Sequence, residues 1–377
     1  MFVCGSRIEI LLLYTYTKRQ NYFSWDGLKL IFIANQFLIM VESIFCSANG
    51  SPKAKKIFGI VTFIQLFILL GFRAHSVGTD TPNYIFLFGL LKNGFDVDQF
   101  EILNVILMKM IAWLPNSQTV LLCVYAFLTL GLFYLYFYLE SEDPCLSIAL
   151  FSGFMYYYLC FNIMRQALAM GLVSVAVAML RRNKKNKFWL FAFLAIGFHT
   201  SAAVIIPIWV IAKMRVRYSW NLYFFFVIAS VSMIAFGRKI VELLLTFFPT
   251  YRVYINTGYA DEGNVLNPIM YLAILTIITI VWNSTLRSSN DNIYLIMLGV
   301  GTVFYFVSTQ VEIVNRIVYY YTISVMIILP NLLKRIPQVR NRVPLSVGAH
   351  LVVFVYSCLL ISRGAHGVVP YAFFWME

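Results

Sequence analysis

The sequence predicts an all-α protein, a polytopic transmembrane helix bundle of about 11–12 spans that includes one hairpin of short helices. Hydrophobic residues make up 61% of the 377 residues and charged residues only 12%, whereas a soluble domain is about a quarter charged. Apolar runs close to the length of a spanning helix, about 20 residues, recur along the whole chain. Runs such as 57–70 do not alternate between apolar and polar residues, as the strands of a transmembrane barrel would.

The net charge of +13 comes from short clusters of Lys and Arg that separate the apolar runs. The clusters lie at 53–56, 181–187, 213–217 and 334–342. Cationic loops remain in the cytoplasm, so the clusters predict which ends of the spans face inward. They form no basic stripe along one face, and we therefore expect no nucleic-acid partner.

The apolar runs, placed between these clusters, give the spans in order. We predict spans at 28–48, 57–72, 118–139, 145–161, 166–180, 220–236, 267–282, 293–308, 317–333 and 345–361. The stretch 188–212 lies between two basic clusters, and a single helix there would put them on opposite sides of the membrane. We therefore predict two short helices with a tip at His199, which keeps both clusters inside.

Two longer segments are predicted on the extracytoplasmic side, at about 73–117 and about 237–266. In the first, apolar residues recur at helical spacing opposite Glu101, Asn104 and Lys109. This pattern is typical of a helix that lies in the membrane interface.

The sequence indicates one membrane-embedded domain, residues 28–377, preceded by an N-terminal extension, residues 1–27, without a cleavable signal. The span map puts the N-terminus outside, which conflicts with the basic residues of the extension; either a misplaced start or an unusual first span would account for this. The six cysteines lie mostly within predicted spans and have no CxxC spacing. We therefore expect neither a disulfide framework nor a metal site, and no cofactor.

The remaining ionisable residues are concentrated on the predicted outer face. They are Arg73, His75, Asp80, Arg165, His199, Arg238, Arg252, Glu312, Arg316, Arg363 and His366. Ionisable groups at membrane depth are costly and usually functional, and outer cations oppose the usual bias of the loops. The set predicts an anionic ligand. Several arginines suit a diphosphate, because the guanidinium donates paired hydrogen bonds and keeps its charge.

Some of the outer basic residues also have a structural interpretation. Arg238, Lys239 and Arg363 would then extend to the interface without binding anything. Arg165 and Arg316 each lie in a short turn beside an amide or a carboxylate, which favours ligand binding.

The outer acidic, histidine and aromatic residues have two interpretations as well. Asp80 precedes Thr-Pro near a helix start, which is typical of a capping residue. Glu312 is either functional or only a partner of a nearby arginine, and His199 is either catalytic or a buried histidine with satisfied hydrogen bonds. Tyr84 belongs either to the interfacial aromatic belt or to a surface that stacks on sugar rings.

Five short motifs resemble those of the EpsG-like, Wzy-type polysaccharide polymerases in their order and spacing. They are GFRAHSVGTDTPNY at 71–84, NIMRQALA at 162–169, GFHTSA at 197–202 followed by Pro207, NRI at 315–317 and VPY at 369–371. The likeness extends from about Leu28 to the end of the sequence. It implies an enzyme of a bacterial inner membrane, with its active site facing the periplasm, that joins oligosaccharide repeat units carried on undecaprenyl diphosphate for an O-antigen or exopolysaccharide.

The resemblance also implies roles for the outer residues. Charge developing on the diphosphate leaving group would be stabilised by Arg73, Arg165 and Arg316, with Arg252 contributing from a loop. Further substrate contacts are expected from Gln166, Asn315 and Tyr84. The first candidate for a general base is His199, followed by Asp80 and Glu312. We expect transfer without a metal ion. The expected partners are lipid-linked oligosaccharides, membrane lipid and a chain-length regulator protein.

Three rival functions share parts of this pattern. A flippase of the same lipid-linked glycan would place charged groups near the midplane and often shows internal repeats, and neither is visible. An acyltransferase would need a histidine and an acid open to an acyl donor. An O-antigen ligase uses the same donor on the same side, and the sequence does not exclude it.

Overall fold

The computed structural model of the protein describes residues 25–214, 216–247, 266–285 and 291–377. Within these ranges the regular structure is helical, apart from one isolated antiparallel bridge between Arg73 and Phe373. The α-helices are α1 (Trp25–Asn49), α2 (Pro52–Gly71), α3 (Thr81–Lys92), α4 (Ile102–Ala112), α5 (Ser117–Glu140), α6 (Pro144–Gly153), α7 (Tyr156–Leu159), α8 (Met164–Arg181), α9 (Lys185–Phe198), α10 (Ile205–Met214), α11 (Trp220–Phe247), α12 (Leu266–Thr285), α13 (Asn292–Ser308), α14 (Asn315–Thr322), α15 (Val325–Lys334) and α16 (Val339–Ser362). The predicted all-α class is confirmed.

Seven helical segments of the described chain are long and apolar enough to cross a membrane. They lie in α1, α2, α5, α8, α11, the combined α14–α15 segment and α16. Shorter apolar helices, including α6, α12 and α13, pack among them. The chain is therefore a multi-pass membrane protein, as predicted.

The bundle has two ends with different chemistry. We call the basic end the one formed by 50–56, 140–144, 181–187 and 334–339, where Lys55 Nζ donates to the carbonyl of Glu142 at 3.2 Å. The opposite end, formed by 72–80, 99–101, 162–166, 199–204, 312–316 and 363–377, we call the histidine end. The predicted basic clusters thus share one end, and α1 runs from the histidine end to the basic end, as the span map required.

The predicted hairpin is confirmed. Helix α9 ends at Phe198, His199 takes an extended conformation with φ −158° and ψ 123°, and a 3₁₀ turn at Thr200–Val204 leads into α10. The two short helices thus reach the histidine end and return to the basic end.

One predicted continuous span is wrong, because it is broken inside the bundle. The predicted span 145–161 is interrupted after α6, where Met155 has a φ of 68°. Irregular backbone is tolerated at membrane depth only where protein surrounds it, and this break lies among buried side chains. The predicted span 317–333 is confirmed as part of one apolar segment, because Ile323 and Ser324, between α14 and α15, keep helical backbone angles. Tyr156 Oη, at the break, and Thr322 Oγ1, at the end of α14, lie 2.6 Å apart.

The second predicted outer segment begins too early. Helix α11 continues past residue 236 to Phe247, and Arg238 Nε donates to Glu242 Oε1 at 3.0 Å one turn later on the same helix. Arg238 is therefore paired within its own helix, and its extension to the interface stays a prediction. Residues 248–265, the rest of the predicted segment, lie outside the described ranges.

The helix predicted to lie in the interface exists as α4, but its polar side has a different environment. Asn104 is fully buried against the bundle, whereas Ile106 and Met110 are exposed. In a soluble protein, the apolar side of a helix packs against the core. Here the apolar side of α4 can contact lipid, so its polar side can pack against the protein. Glu101, at the start of α4, is thereby directed toward the bundle.

The segment 363–377, which follows α16, folds over the loop after α2. The amide of Ala74 donates to the carbonyl of Ala372 at 2.8 Å, and the amide of Phe374 donates to the carbonyl of Phe72 at 3.0 Å. The carboxylate of Glu377 accepts from two further amides of the loop, at 3.0 and 3.1 Å. This segment therefore fixes the loop that carries Arg73.

The basic end is closed by a network of buried ion pairs. Glu140 contacts both Arg181 and Arg182, and it accepts from Tyr294 Oη at 2.9 Å. Asp291 pairs with Arg181 at 3.0 Å and with Arg335 at 2.8 Å. The side chains of Glu140 and Asp291 are 2% and 3% exposed. Some of the cations that indicate topology in the sequence are therefore bound within the protein.

Candidate functional site

His199, the first candidate base, contacts a carboxylate that the sequence analysis did not select. Its Nδ1 lies 2.7 Å from Glu101 Oε1. The same oxygen accepts from the backbone amide of Thr200 at 3.1 Å. The side chains of His199 and Glu101 are 13% and 14% exposed, so both remain accessible from the histidine end.

The second oxygen of Glu101 holds Arg165. Arg165 Nη1 lies 2.5 Å from Glu101 Oε2 and donates to the carbonyl of Gln99 at 3.0 Å. Burial by itself would raise the pKa of the Glu101 carboxyl group, but the hydrogen bond from His199 and the charge of Arg165 outweigh burial and lower the pKa to about 2. Glu101 is consequently ionised at any physiological pH.

The Arg165 guanidinium lies on aromatic rings. Its central carbon is 4.4 Å from the centroid of Phe100 and 5.8 Å from that of Tyr84. The two rings stack on each other with centroids 5.9 Å apart and an interplanar angle of 17°. Cation–π contact and the ion pair together fix the guanidinium. Arg165 Nη2 makes no hydrogen bond within the described chain, so one edge of the group is open.

Tyr84 occupies this cluster in a way that differs from the predicted sugar-stacking surface. Its side chain is buried, and one ring face packs against Phe100. Its hydroxyl accepts from Arg165 Nε at 3.5 Å, the limit of a hydrogen bond. In this arrangement Tyr84 supports Arg165 and presents no open ring face to a sugar.

Gln166, Asn315 and Arg316 form the adjoining part of the site. Gln166 Nε2 donates to the carbonyl of Arg316 at 2.6 Å, which links the start of α8 to the start of α14. The remaining oxygen of Gln166 and the Oδ1 of Asn315 are buried and have no hydrogen-bond partner. The Arg316 guanidinium is half-buried and has no hydrogen bond or ion pair within the described chain. Orphaned acceptors beside an unpaired cation are groups that a polar ligand would satisfy.

The hairpin joins this part of the site through a hydroxyl pair. Ser201 Oγ and Tyr320 Oη lie 3.0 Å apart. Tyr320 is on α14 and Ser201 is in the 3₁₀ turn after His199. Residues from α4, α8, α14 and the hairpin therefore meet at one place, although about 200 residues separate Glu101 from Arg316 along the chain.

Arg73 is placed differently from its prediction as a ligand-binding cation. It is 1% exposed, and its guanidinium donates to the carbonyls of Leu70 and Phe161, the latter at 3.2 Å. Its Nη2 also lies 3.2 Å from Met164 Sδ, next to Arg165 in the sequence. Burial lowers the pKa of the guanidinium to about 10, which still leaves it charged at neutral pH. As it stands, Arg73 supports the turn before α8 and does not reach the surface.

The two other candidate bases do not join the cluster. Asp80 precedes α3 but makes no capping hydrogen bond; its Oδ1 accepts from Thr79 Oγ1 at 3.2 Å. Glu312 is exposed and forms no ion pair with Arg316, so the interpretation of Glu312 as its partner is wrong. Arg252, predicted to contribute from a loop, lies outside the described residues.

Glu101 is the residue that sequence reasoning missed. The pattern of α4 put Glu101 on the polar side of a helix predicted to lie in the membrane interface. A signal was present in the pairing of Glu101 with Asn104 three residues later, because two polar groups one turn apart on a largely apolar helix suit a buried contact. Asn104 Nδ2 donates to Glu101 Oε2 at 3.2 Å, and its Oδ1 accepts from Tyr125 Oη at 2.7 Å.

The residues that the structure describes contain no group of three or more His, Cys, Asp and Glu side chains that could hold a metal ion. The chain does have one Asp-x-Asp pair, Asp96 and Asp98, and both residues are exposed in the loop between α3 and α4. Metal-independent transfer remains a prediction.

Comparison with known proteins gives one match. The sequence model of the EpsG family matches residues 56–373, a range that includes the histidine end except for residues 374–377. Neither the curated proteins nor the solved structures provided a match to the chain.

Proposed function

The chain belongs to the EpsG family, which indicates a role in polysaccharide biosynthesis, and on this premise we propose that it polymerises oligosaccharide repeat units carried on undecaprenyl diphosphate. The donor is the growing glycan on its lipid diphosphate, and the acceptor is a sugar hydroxyl of a second lipid-linked unit. The reaction takes place at the histidine end. The observation that carries the proposal is the contact of His199 and Arg165 with one carboxylate at that end.

The orientation of the protein follows from the distribution of charge. Exposed lysines and arginines that flank the spans concentrate at the basic end, and such residues remain in the cytoplasm. The histidine end then faces the periplasm of a bacterial inner membrane. Lipid-linked units that have already crossed the membrane would meet the site there.

The proposed reaction needs a cation for the leaving group and a base for the acceptor. The acceptor oxygen forms a bond to the anomeric carbon of the donor as the bond from that carbon to the diphosphate oxygen breaks, with its electron pair passing to the diphosphate. His199 takes the proton of the acceptor hydroxyl. Arg165, through its open edge, and Arg316 stabilise the charge that develops on the diphosphate.

Deletion of the gene and complementation test the proposal. The surface glycan is resolved on a ladder gel, and lipid-linked intermediates are extracted. We expect the deletion strain to carry a single repeat unit on its acceptor lipid and no ladder. A ladder trapped on the polyprenyl lipid would indicate a ligase. Repeat units confined to the cytoplasmic leaflet would indicate a flippase, and either result would overturn the proposal.

Variants then test the assigned residues. We expect Arg165→Ala and His199→Ala to abolish the ladder at a normal protein level. Arg238→Ala is the matched control, because Arg238 is an exposed arginine paired within its own helix, and its ladder should be unchanged. A full ladder with His199→Ala would remove the base assignment.

A further inference from the structure

We propose that Glu101 is a positioning residue, which holds Arg165 and His199 in one fixed arrangement for glycosyl transfer. The inference rests on the proposed function and deepens it. It assigns a role to Glu101, which lies between the cation Arg165 and the base His199. Within the described structure, Glu101 is the only carboxylate in contact with both.

Glu101 itself is not available as the base, because both of its oxygens are fully used. Oε1 faces His199 Nδ1 at 2.7 Å and accepts from the amide of Thr200 at 3.1 Å. Oε2 faces Arg165 Nη1 at 2.5 Å and accepts from Asn104 Nδ2 at 3.2 Å. A carboxylate with four donors has no lone pair left for the proton of an acceptor hydroxyl.

The carboxylate selects the tautomer of His199. An ionised carboxylate can only accept, so the hydrogen of neutral His199 resides on Nδ1, and Nε2 carries the free lone pair. This assignment follows from the hydrogen-bond network. Glu101 thus orients the His199 ring. Nε2, the nitrogen outside this hydrogen-bond network, remains available to accept a proton.

The same carboxylate orients Arg165. Both hydrogens of Nη1 are committed, one to Glu101 and one to the carbonyl of Gln99. The open edge of the guanidinium is therefore Nη2, which has no hydrogen bond within the described chain. Because one side chain holds both groups, the separation between the diphosphate-binding edge and the proton-accepting nitrogen is set by the geometry of Glu101.

The support for Glu101 is itself rigid. Asn104 donates to Glu101 and to the carbonyl of Phe198, the last residue of α9, and it accepts from Tyr125 of α5 at 2.7 Å. Three helices are thereby tied to the carboxylate. A shift of about 1 Å in such a supporting group can cost about a hundredfold in rate.

The test uses the full-length protein in nanodiscs, with lipid-linked repeat units extracted from the deletion strain as substrate. Glu101→Gln keeps the shape of the side chain but gives it a donor, which disrupts the tautomer of His199. We expect kcat to fall about 100-fold or more. The acid limb of the rate profile should also move to lower pH, because a neutral amide no longer stabilises the imidazolium form.

Two further variants separate positioning from stability. Glu101→Asp retains the charge but shortens the reach; we expect it to keep the wild-type acid limb with a reduced kcat. Glu242→Gln is the matched control, because the Glu242 carboxylate is exposed and pairs with Arg238 of its own helix. This change should leave the acid limb of the rate profile unaltered. Melting temperatures are measured for every variant.

The outcomes are distinguishable. If wild-type protein forms no polymer from the extracted units, the proposed function fails. If wild-type protein polymerises them and Glu101→Gln keeps kcat within twofold, or loses activity with an unchanged acid limb, the positioning role is overturned while the function stands. If Glu101→Gln does not fold, a Glu101→Asp variant with a shifted acid limb overturns the role in the same way.

Discussion

Arg73 and Arg316 were both predicted to bind an anion, yet their surroundings differ. Arg73 is enclosed by backbone carbonyls that it satisfies, while the Arg316 guanidinium is half-buried and unpaired within the described chain. Removing Arg73 leaves the buried carbonyl of Leu70 without the guanidinium donor, at a cost of about 1–3 kcal/mol, whereas the carbonyl of Phe161 keeps its hydrogen bond from Thr81 Oγ1. The same change at Arg316 leaves no acceptor unsatisfied.

This difference between the two arginines predicts that Arg73→Met affects mainly stability and Arg316→Met mainly activity. We expect Arg73→Met to lower the melting temperature and the level of protein in the membrane. Arg316→Met should melt like the wild type but form little polymer. Fluorescence melting curves in detergent, compared with ladder gels, check this, and a stable but inactive Arg73→Met would return Arg73 to the substrate-binding set.

The low pKa of Glu101 predicts how stability depends on pH. The folded-state pKa of about 2 lies below the ordinary value of 4.5, so the stabilisation is present above about 4.5 and is lost as the pH falls toward 2. We expect the melting temperature of the wild type to drop as the pH falls from about 4.5 to about 2, in part through this group. Glu101→Gln should show a smaller drop, and identical slopes for the two proteins would contradict the assigned ionisation.

Some individual residues were predictable and others were not. Arg165 and His199 could be selected because charge in short turns between apolar runs is unusual. Glu101 could not, because periodicity does not tell whether the polar side of a helix meets water or protein. Asp80 and Glu312 lie at the same end of the bundle as Arg165 and His199, but a sequence does not show which loops converge, and neither residue reaches the cluster.

At the scale of elements, the hairpin depends on a close contact between α9 and α4. A Cβ added to Gly197 would lie 2.6 Å from Leu103 Cδ1 and 2.8 Å from its Cγ. Such distances are too short, so either the Leu103 side chain moves or α4 and the hairpin separate. Glu101 and His199 lie on the two sides of this contact.

We therefore expect Gly197→Ala to reduce polymer formation several-fold by separating Glu101 from His199. A second change, Leu103→Ala, removes the obstructing atoms and should restore much of the activity. The rates of Gly197→Ala, Leu103→Ala and the double variant are compared in the nanodisc assay. If the double variant is no better than Gly197→Ala, the contact is not the cause.

The elements themselves were predictable to different degrees. Long spans and the hairpin follow from apolar length and from the positions of basic clusters. The break after α6 does not, because apolar residues follow on both sides of it and no proline or charge marks the break point. What allows the break is tertiary burial of the freed backbone groups, which only the folded bundle supplies.

At the scale of the whole molecule, the two ends have different structural roles. The network around Glu140 and Asp291 joins α5, α8, α13 and α15 at the basic end. Removing one member of a buried ion-pair network leaves an uncompensated charge and costs about 3–5 kcal/mol. The histidine end, by contrast, leaves Arg165 and Arg316 with open positions.

The network predicts that Glu140→Gln destabilises the protein strongly, since it leaves two arginines without their shared carboxylate. Glu142→Gln is the control: the Glu142 side chain is 41% exposed and pairs with Arg335 alone, so its loss should matter little. Melting temperatures of both variants give the comparison. Equal decreases in melting temperature for the two variants would show that burial does not determine how much these ion pairs contribute to stability.

The packing of residues 363–377 over the loop after α2 has a consequence for biogenesis. The hydrogen bond from the amide of His75 to Glu377 joins residues 302 positions apart in the chain. The loop carrying Arg73 is inserted early, yet its partners arrive only after α16 has been threaded into the bilayer. Until then the turn that Arg73 supports lacks its outer cover, so the histidine end of a nascent chain folds late. A fusion that restrains residues 363–377 would leave the protein inserted but with this end incompletely folded.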